Sequence, residues 1–239
     1  MEYKGFTINI QLDNDPQDPR EWDNLGTMVC FHKRYSLGDK HRYSSPENFM
    51  IDLWNKEATQ KEKRDFILEA CKGDMQAFRT TLRYSYSNSI DDLFDNVTEN
   101  TKIPDFFPES VLALPLYIYE HSGITMNTGG FHCPWDSGQV GWIYITNDKV
   151  KSEGHVNTPV EKIYEYLSNE VKTYDKFLTG DIHGYTIEDA NGEYIDSCWG
   201  FFSEEDALSE AKSYVDYEVK EKEEIISEVE FENHFGLAL

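Results

Sequence analysis

Apolar and polar residues alternate at Phe6, Ile8, Ile10 and Leu12, the two-residue period of a strand with one buried face. The same alternation returns in Gly138–Thr146 through Val140, Trp142 and Tyr144, and Val111–Tyr119 is the most hydrophobic strand candidate. Pro115 suggests an edge position or a strand that begins there, because proline cannot donate to a ladder. Tyr185–Glu188 and Glu193–Trp199 flank Asp189-Ala190-Asn191-Gly192, and Asn-Gly readily takes positive backbone angles, so a hairpin is predicted there. Helical spacing dominates elsewhere. Ser45-Pro46-Glu47 caps and opens a helix with Phe49, Met50, Leu53 and Trp54 on one face. Further helices are predicted over Thr59–Cys71, Asp74–Leu82 after the break at Gly73, Ser89–Val97 and Pro159–Leu178. A last one runs from the Ser203 cap to about Val219. Asn147-Asp148 ends the Gly138–Thr146 strand.

These elements define an α+β class: one mixed or antiparallel sheet with packed helices and an acidic C-terminal helical region. The 239 residues suffice for a single domain with a sizeable core. Residues 98–110, with Pro104 and Pro108, mark a soft subdomain boundary, although Ile103, Phe106 and Phe107 favour burial. Aromatic content of 14% excludes a disordered chain.

Charge changes the picture most. Lys and Arg total 22 against 45 Asp and Glu, a net −23. Such a body repels duplex nucleic acid and anionic membranes unless a local basic patch intervenes. The expected partner is a protein with a basic surface, with no direct nucleic acid and no membrane. No stretch reads as a signal peptide or a bilayer span, which points to a cytoplasmic protein. Acid density peaks at the C-terminus, where Ser203–Glu232 holds twelve acids against three lysines. Glu204, Glu205, Asp206, Glu210, Asp216, Glu218, Glu221, Glu223 and Glu224 are the candidate partner-binding surface. The bland alternative is a solvated helical face that keeps the chain soluble.

The chemistry-bearing residues lie elsewhere. Cys30, Cys71, Cys133 and Cys198 stand far apart and read as reduced thiols. His121 and the run Cys133–Gly141 form a shaped loop between strands, and Asp196–Trp199 ends the hairpin. An alternative ligand or catalytic site draws on His121, Cys133, Asp136, Gln139, Asp181, Asp196 and Cys198. There Cys133 or Cys198 would be the nucleophile, with His121, His132 or His183 as base and Asp136, Asp181 or Asp196 orienting it. Plain packing of small thiols is the competing reading. Asp13, Asp15 and Asp18 miss the calcium-loop pattern, Cys30-x-His32 alone is no zinc site, and no metal or cofactor is expected.

Three word-like blocks carry a resemblance: Pro19–Cys30 (PREWDNLGTMVC), Cys133–Gly141 (CPWDSGQVG) and Asp196–Gly200 (DSCWG). Together they resemble a family of acidic proteins carried by bacteriophages and plasmids. The resemblance implies a mobile-element origin and a bacterial cytoplasm, and it brings no active-site residues to carry over. The acidity is similar, in charge only, to that of DNA-mimic antirestriction proteins. The expected function is therefore inhibition of a host defence or nucleic-acid-binding protein. A small-molecule binder or enzyme using Cys133–Gln139 and Asp196–Trp199 is the alternative.

Overall fold

The computed structural model describes residues 1–71, 76, 89–100 and 103–235, with side chains to Glu230 in the last helix. The helix expected over Asp74–Leu82, and Gly73 before it, lie outside the described residues except for Gln76. The chain is α+β, as its patterning implies, and its strands form two antiparallel sheets where one was expected. It divides into two compact units, residues 1–19 with 173–239 and residues 20–172, so the 98–110 segment falls inside the second.

In the first unit β1 (Glu2–Tyr3), β2 (Phe6–Leu12), β7 (His183–Glu188) and β8 (Tyr194–Phe201) pair in the order β1-β2-β7-β8. Lys4 and Gly5 both take positive φ, 48° and 83°, in the tight turn that joins β1 to β2. The predicted hairpin closes β7 onto β8, where Asp189 Oδ1 accepts the backbone N–H of Asn191 at 2.8 Å and of Glu193 at 2.9 Å. Phe6, Ile8, Tyr185 and Ile187 line one face, and the last helix of the chain, Glu204–Phe235, lays Ala211 and Val215 on them. That helix runs well past the predicted end at Val219. Nothing from Lys220 to Phe235 is a proline or glycine to stop it.

The second unit holds a sheet of β3 (Thr27–Cys30), β4 (Val111–Glu120), β5 (Ile124–Asn127) and β6 (Ser137–Thr146) in the order β3-β6-β4-β5. β4 is thus an inner strand, contrary to the edge position Pro115 suggested. β5 pairs only with Tyr117–Glu120, so the side of β4 away from β6 is open at Pro115, and the proline is tolerated. Alternation on β6 sorts its side chains. Trp142 and Tyr144 pack on Phe49 of α1 (Pro46–Glu57), at 5.8 and 5.3 Å between ring centres. Ile143 on the other face meets Leu167 beside Gly26, where a Cβ would lie 2.5 Å from Leu167. α2 (Gln60–Ala70) starts with the Thr59–Glu62 capping box, and α3 (Ile90–Asn100) packs beside it. Trp54 stacks on Phe94 at 5.6 Å, and its indole N–H donates to Phe106 O at 2.8 Å. Where the reading ended a strand at Asn147-Asp148, the short α4 (Asn147–Ser152) begins, capped by Thr146. α5 (Val160–Thr179) carries the chain back to the first unit, and Glu204–Phe235 is α6.

Candidate functional site

α6 begins at Ser203, whose hydroxyl accepts the Asp206 N–H at 3.0 Å and donates to Asp206 Oδ2 at 2.6 Å. Ala207, Ala211 and Val215 recur every four residues and are fully buried, so the acids between them turn outward. Their states differ. Asp206 serves the cap. Asp216 receives Lys4 at 2.8 Å and the Tyr3 hydroxyl at 3.0 Å, and the Lys4 bond holds its carboxyl below the ordinary value. Glu224 lies 3.6 Å from Lys220. Glu204, Glu205, Glu210, Glu221 and Glu223 have no ion pair among the described residues. From Lys220 to Glu230 every residue is exposed, including Ile225, Ile226 and Val229 at 54, 57 and 50%. A solvated acidic face does not call for three half-exposed aliphatic side chains.

In the second unit the β4–β5 reversal and the loop into β6 bring three sequence-predicted residues together. Glu120 N–H donates to Asp136 O at 2.8 Å, and Ser137 Oγ donates to Cys133 O, which fastens the loop to the strand end. Asp136 Oδ2 then lies 3.8 Å from Cys133 Sγ and 3.7 Å from His121 Nδ1. The carboxylate stands between thiol and imidazole. A nucleophilic thiol needs the imidazole beside the sulfur with the carboxylate behind it, an order this geometry does not form. Asp136 borders a cleft of about 720 Å³ lined also by His32, Arg34, Tyr35, Glu120 and Trp135. Trp135 is 92% exposed at its mouth. Gln139 turns back to donate to Gly141 O at 3.3 Å and does not line the cleft. His132 is exposed.

The remaining candidates belong to the first unit. Asp181 accepts Lys176 at 2.8 Å and meets His183 Nε2 at 3.0 Å; the Lys176 bond, then His183, holds its carboxyl below the ordinary value. His183 stands opposite Phe201 in the β7–β8 ladder, whereas Cys198 is exposed and stands opposite Tyr185. Asp196 stands opposite Ile187. Burial, followed by the nearby Cys198 and Asp196, pushes the Tyr185 hydroxyl up to about 12. Among the described residues no group of three His, Cys, Asp or Glu could hold a metal ion, and no helix is long and apolar enough to cross a membrane.

Sequence reasoning missed His32, Arg34, Tyr35 and Glu120. Arg34 and His32 both reach the Glu120 carboxylate, His32 at 3.7 Å. The signal was present as His-Lys-Arg-Tyr after β3, where Cys30-x-His32 was weighed only as a zinc fragment. The chain matches no protein-family model, no curated protein and no solved structure.

Proposed function

We propose that the chain is a non-enzymatic binding protein of a mobile genetic element that inhibits a host defence or nucleic-acid-binding protein in the bacterial cytoplasm. It does so by offering α6 to a basic surface in place of DNA. The observation that supports the reading is the stretch Lys220–Glu230, wholly exposed and mixing acids with Ile225, Ile226 and Val229. Charge density sets the mode of binding. The 32 residues of α6 span about 48 Å at the helical rise. Its twelve acids and three lysines leave roughly one net charge per 5 Å, against about one per 1.7 Å along duplex DNA. Carboxylates alone therefore reproduce only about a third of the duplex field, and apolar contacts must supply the remaining affinity. The partner surface is basic with an apolar furrow.

Pull-down from a bacterial lysate across a salt series tests the proposal. Retention of a host nuclease or defence subunit that weakens steeply with salt is expected. Glu204→Lys with Glu205→Lys and Glu210→Lys should abolish it at a cost of about 1–2 kcal/mol in stability, because Glu204 and Glu205 face the positive end of the helix in its first turn. An empty pull-down at low salt would sink the reading.

A second reading, a ligand-binding protein or enzyme, draws support from Asp136 meeting both His121 and Cys133 at the cleft edge. Under it, Asp136→Ala removes activity from a well-folded protein. Under the first reading, the same change acts through stability only.

A further inference from the structure

We infer that the loop between β3 and α1 is a binding site for a small phosphorylated aromatic ligand, a nucleotide. The first observation is a reversal of charge. In a chain of net −23, His32–Tyr43 carries Lys33, Arg34, Lys40 and Arg42 against one acid, Asp39. That acid is already neutralised: Arg20 grips it through Nε at 2.7 Å and Nη2 at 2.9 Å, and Met28 N–H donates to it at 2.9 Å. Of the loop's own cations, Arg34 is paired with Glu120, and Arg42 lies 3.9 Å from Asp52. Lys33 and Lys40 are exposed and have no ion pair among the described residues. Two free ammonium groups thus stand on the most basic segment of an acidic protein.

The second observation is shape. The loop walls a cleft of about 650 Å³ and an adjoining one of about 530 Å³, which share Asp39, Lys40, His41 and Tyr43. Both fall within the range of small-molecule sites, roughly 300–1,000 Å³. Ser44 and Pro46, at the start of the 12-residue α1, border the larger cleft.

The third is the aromatic lining. Tyr35 stacks on His32 at 5.2 Å and 16°, with the Arg34 guanidinium 5.8 Å from its ring centre. His41 lies between Phe31, at 5.0 Å, and Tyr43, at 5.7 Å. Its Nε2 donates to Cys30 O at 2.8 Å, while its Nδ1 is buried with no hydrogen-bond partner. Folded proteins seldom keep such an orphan, and this one sits in the wall common to both clefts. Tyr35, 41% exposed, thus offers aromatic surface beside cations for phosphates, the pairing by which proteins hold nucleotides. A long strand is excluded by the same charges, because its flanking phosphates would run against the acidic body.

The site uses other residues than α6, so it and the protein-binding reading stand or fall separately. Its test is titration of the full chain with ATP, AMP, GTP, inorganic tripolyphosphate and a twenty-nucleotide oligothymidylate at about 0.1 M salt, where screening shortens the reach of the acidic body to roughly 10 Å, read by calorimetry. Saturable binding of at least one nucleotide is expected, tighter than tripolyphosphate. Lys33→Ala with Lys40→Ala should weaken it about tenfold or more, the size of losing a charged hydrogen bond. Lys151→Ala with Lys162→Ala, the same charge change outside the loop, should leave it unchanged. Tyr35→Ala should weaken nucleotide but not tripolyphosphate. The His41 ring signals in NMR should move on adding nucleotide. No saturable nucleotide binding, equal loss in both lysine pairs, or tighter binding of oligothymidylate than of any nucleotide overturns the inference. So does tripolyphosphate binding as tightly as ATP.

Discussion

Replacing Arg20 by Met tests whether the Pro19–Cys30 block serves the fold. The guanidinium is 3% exposed and makes two bonds to Asp39, one to Glu170 Oε2 at 3.0 Å and one to Gly26 O at 2.8 Å. Glu170 Oε1 in turn takes the N–H groups of Leu25 at 2.8 Å and Gly26 at 3.1 Å. One arginine thus ties the segment before β3, the loop after it and α5 together. Without it, two carboxylates remain in one partly dry pocket with a carbonyl left unpaired. Breaking a buried pair costs about 3–5 kcal/mol. Asp39 and Glu170 are 24 and 16% exposed and keep their backbone donors, which places this case at the low end, about 3 kcal/mol. Urea unfolding followed by tryptophan fluorescence reads it well. Trp22, Trp54, Trp135 and Trp142 all belong to the second unit, leaving Trp199 alone in the first. Arg20→Lys should lose most of the same stability, since an ammonium cannot bond both Asp39 oxygens in plane. Adding Asp39→Asn and Glu170→Gln to Arg20→Met should recover part of it, because no unpaired charge is then left. If Arg20→Met stays within about 1 kcal/mol of the parent, the size of an ordinary hydrogen bond, the clamp is not holding the unit together.

Three further tests concern stability and thiol chemistry. Gly141 allows the backbones of β3 and β6 to meet, and a Cβ there would lie 1.9 Å from Val29 O. Gly141→Ala should cost about 3 kcal/mol or prevent folding, while Gly123→Ala, with nothing within 4 Å, should melt like the parent. Lys63, 3% exposed, bonds Asp91 at 2.5 Å and holds that carboxyl below its ordinary 3.8. A depressed carboxyl stabilises above its unfolded value and loses that contribution as pH falls through its folded value. The stability gap between parent and Asp91→Asn should accordingly be full at pH 7 and close in acid below 3.8, as read by urea midpoints. Burial pushes the Cys30 thiol up to about 12, whereas Cys198 is exposed. Iodoacetamide labelling with peptide mapping should find Cys198 modified in the native protein and Cys30 only after unfolding.

What the sequence disclosed was local. Ser45-Pro46 and Asn191-Gly192 each specify a cap or turn within four residues, and each forms as read. The division into two sheets was hidden because it rests on distant pairing. β2 chooses β7, with Thr7 opposite Glu188, and alternation says which face is buried but not which strand lies alongside. β5 was missed for a related reason: Ile124–Asn127 is too short to show a period. The end of α6 was misplaced because the apolar period stops near Val219 while helix-favouring Glu and Lys continue.

The candidate residues followed the same rule. His121, Cys133 and Asp136 were legible together because one strand reversal returns the chain to its starting point. The basic loop, a continuous run from Lys33 to Arg42, was overlooked because a net charge of −23 averages over such local separation of charge. That separation has a consequence for binding. At about 0.01 M salt the screening length is roughly 30 Å, so an approaching nucleotide feels the whole acidic body and is repelled. At about 0.1 M it shrinks to roughly 10 Å, and the nucleotide responds mainly to Lys33, Lys40 and the residues around them. Added salt therefore removes repulsion before it weakens contact. Nucleotide affinity should fall less steeply over that range than its number of phosphate contacts implies, or even rise. A protein held by α6 gains attraction from the same body charge, and its affinity should fall throughout. One salt series on each ligand separates a basic loop acting locally from an acidic surface acting at a distance.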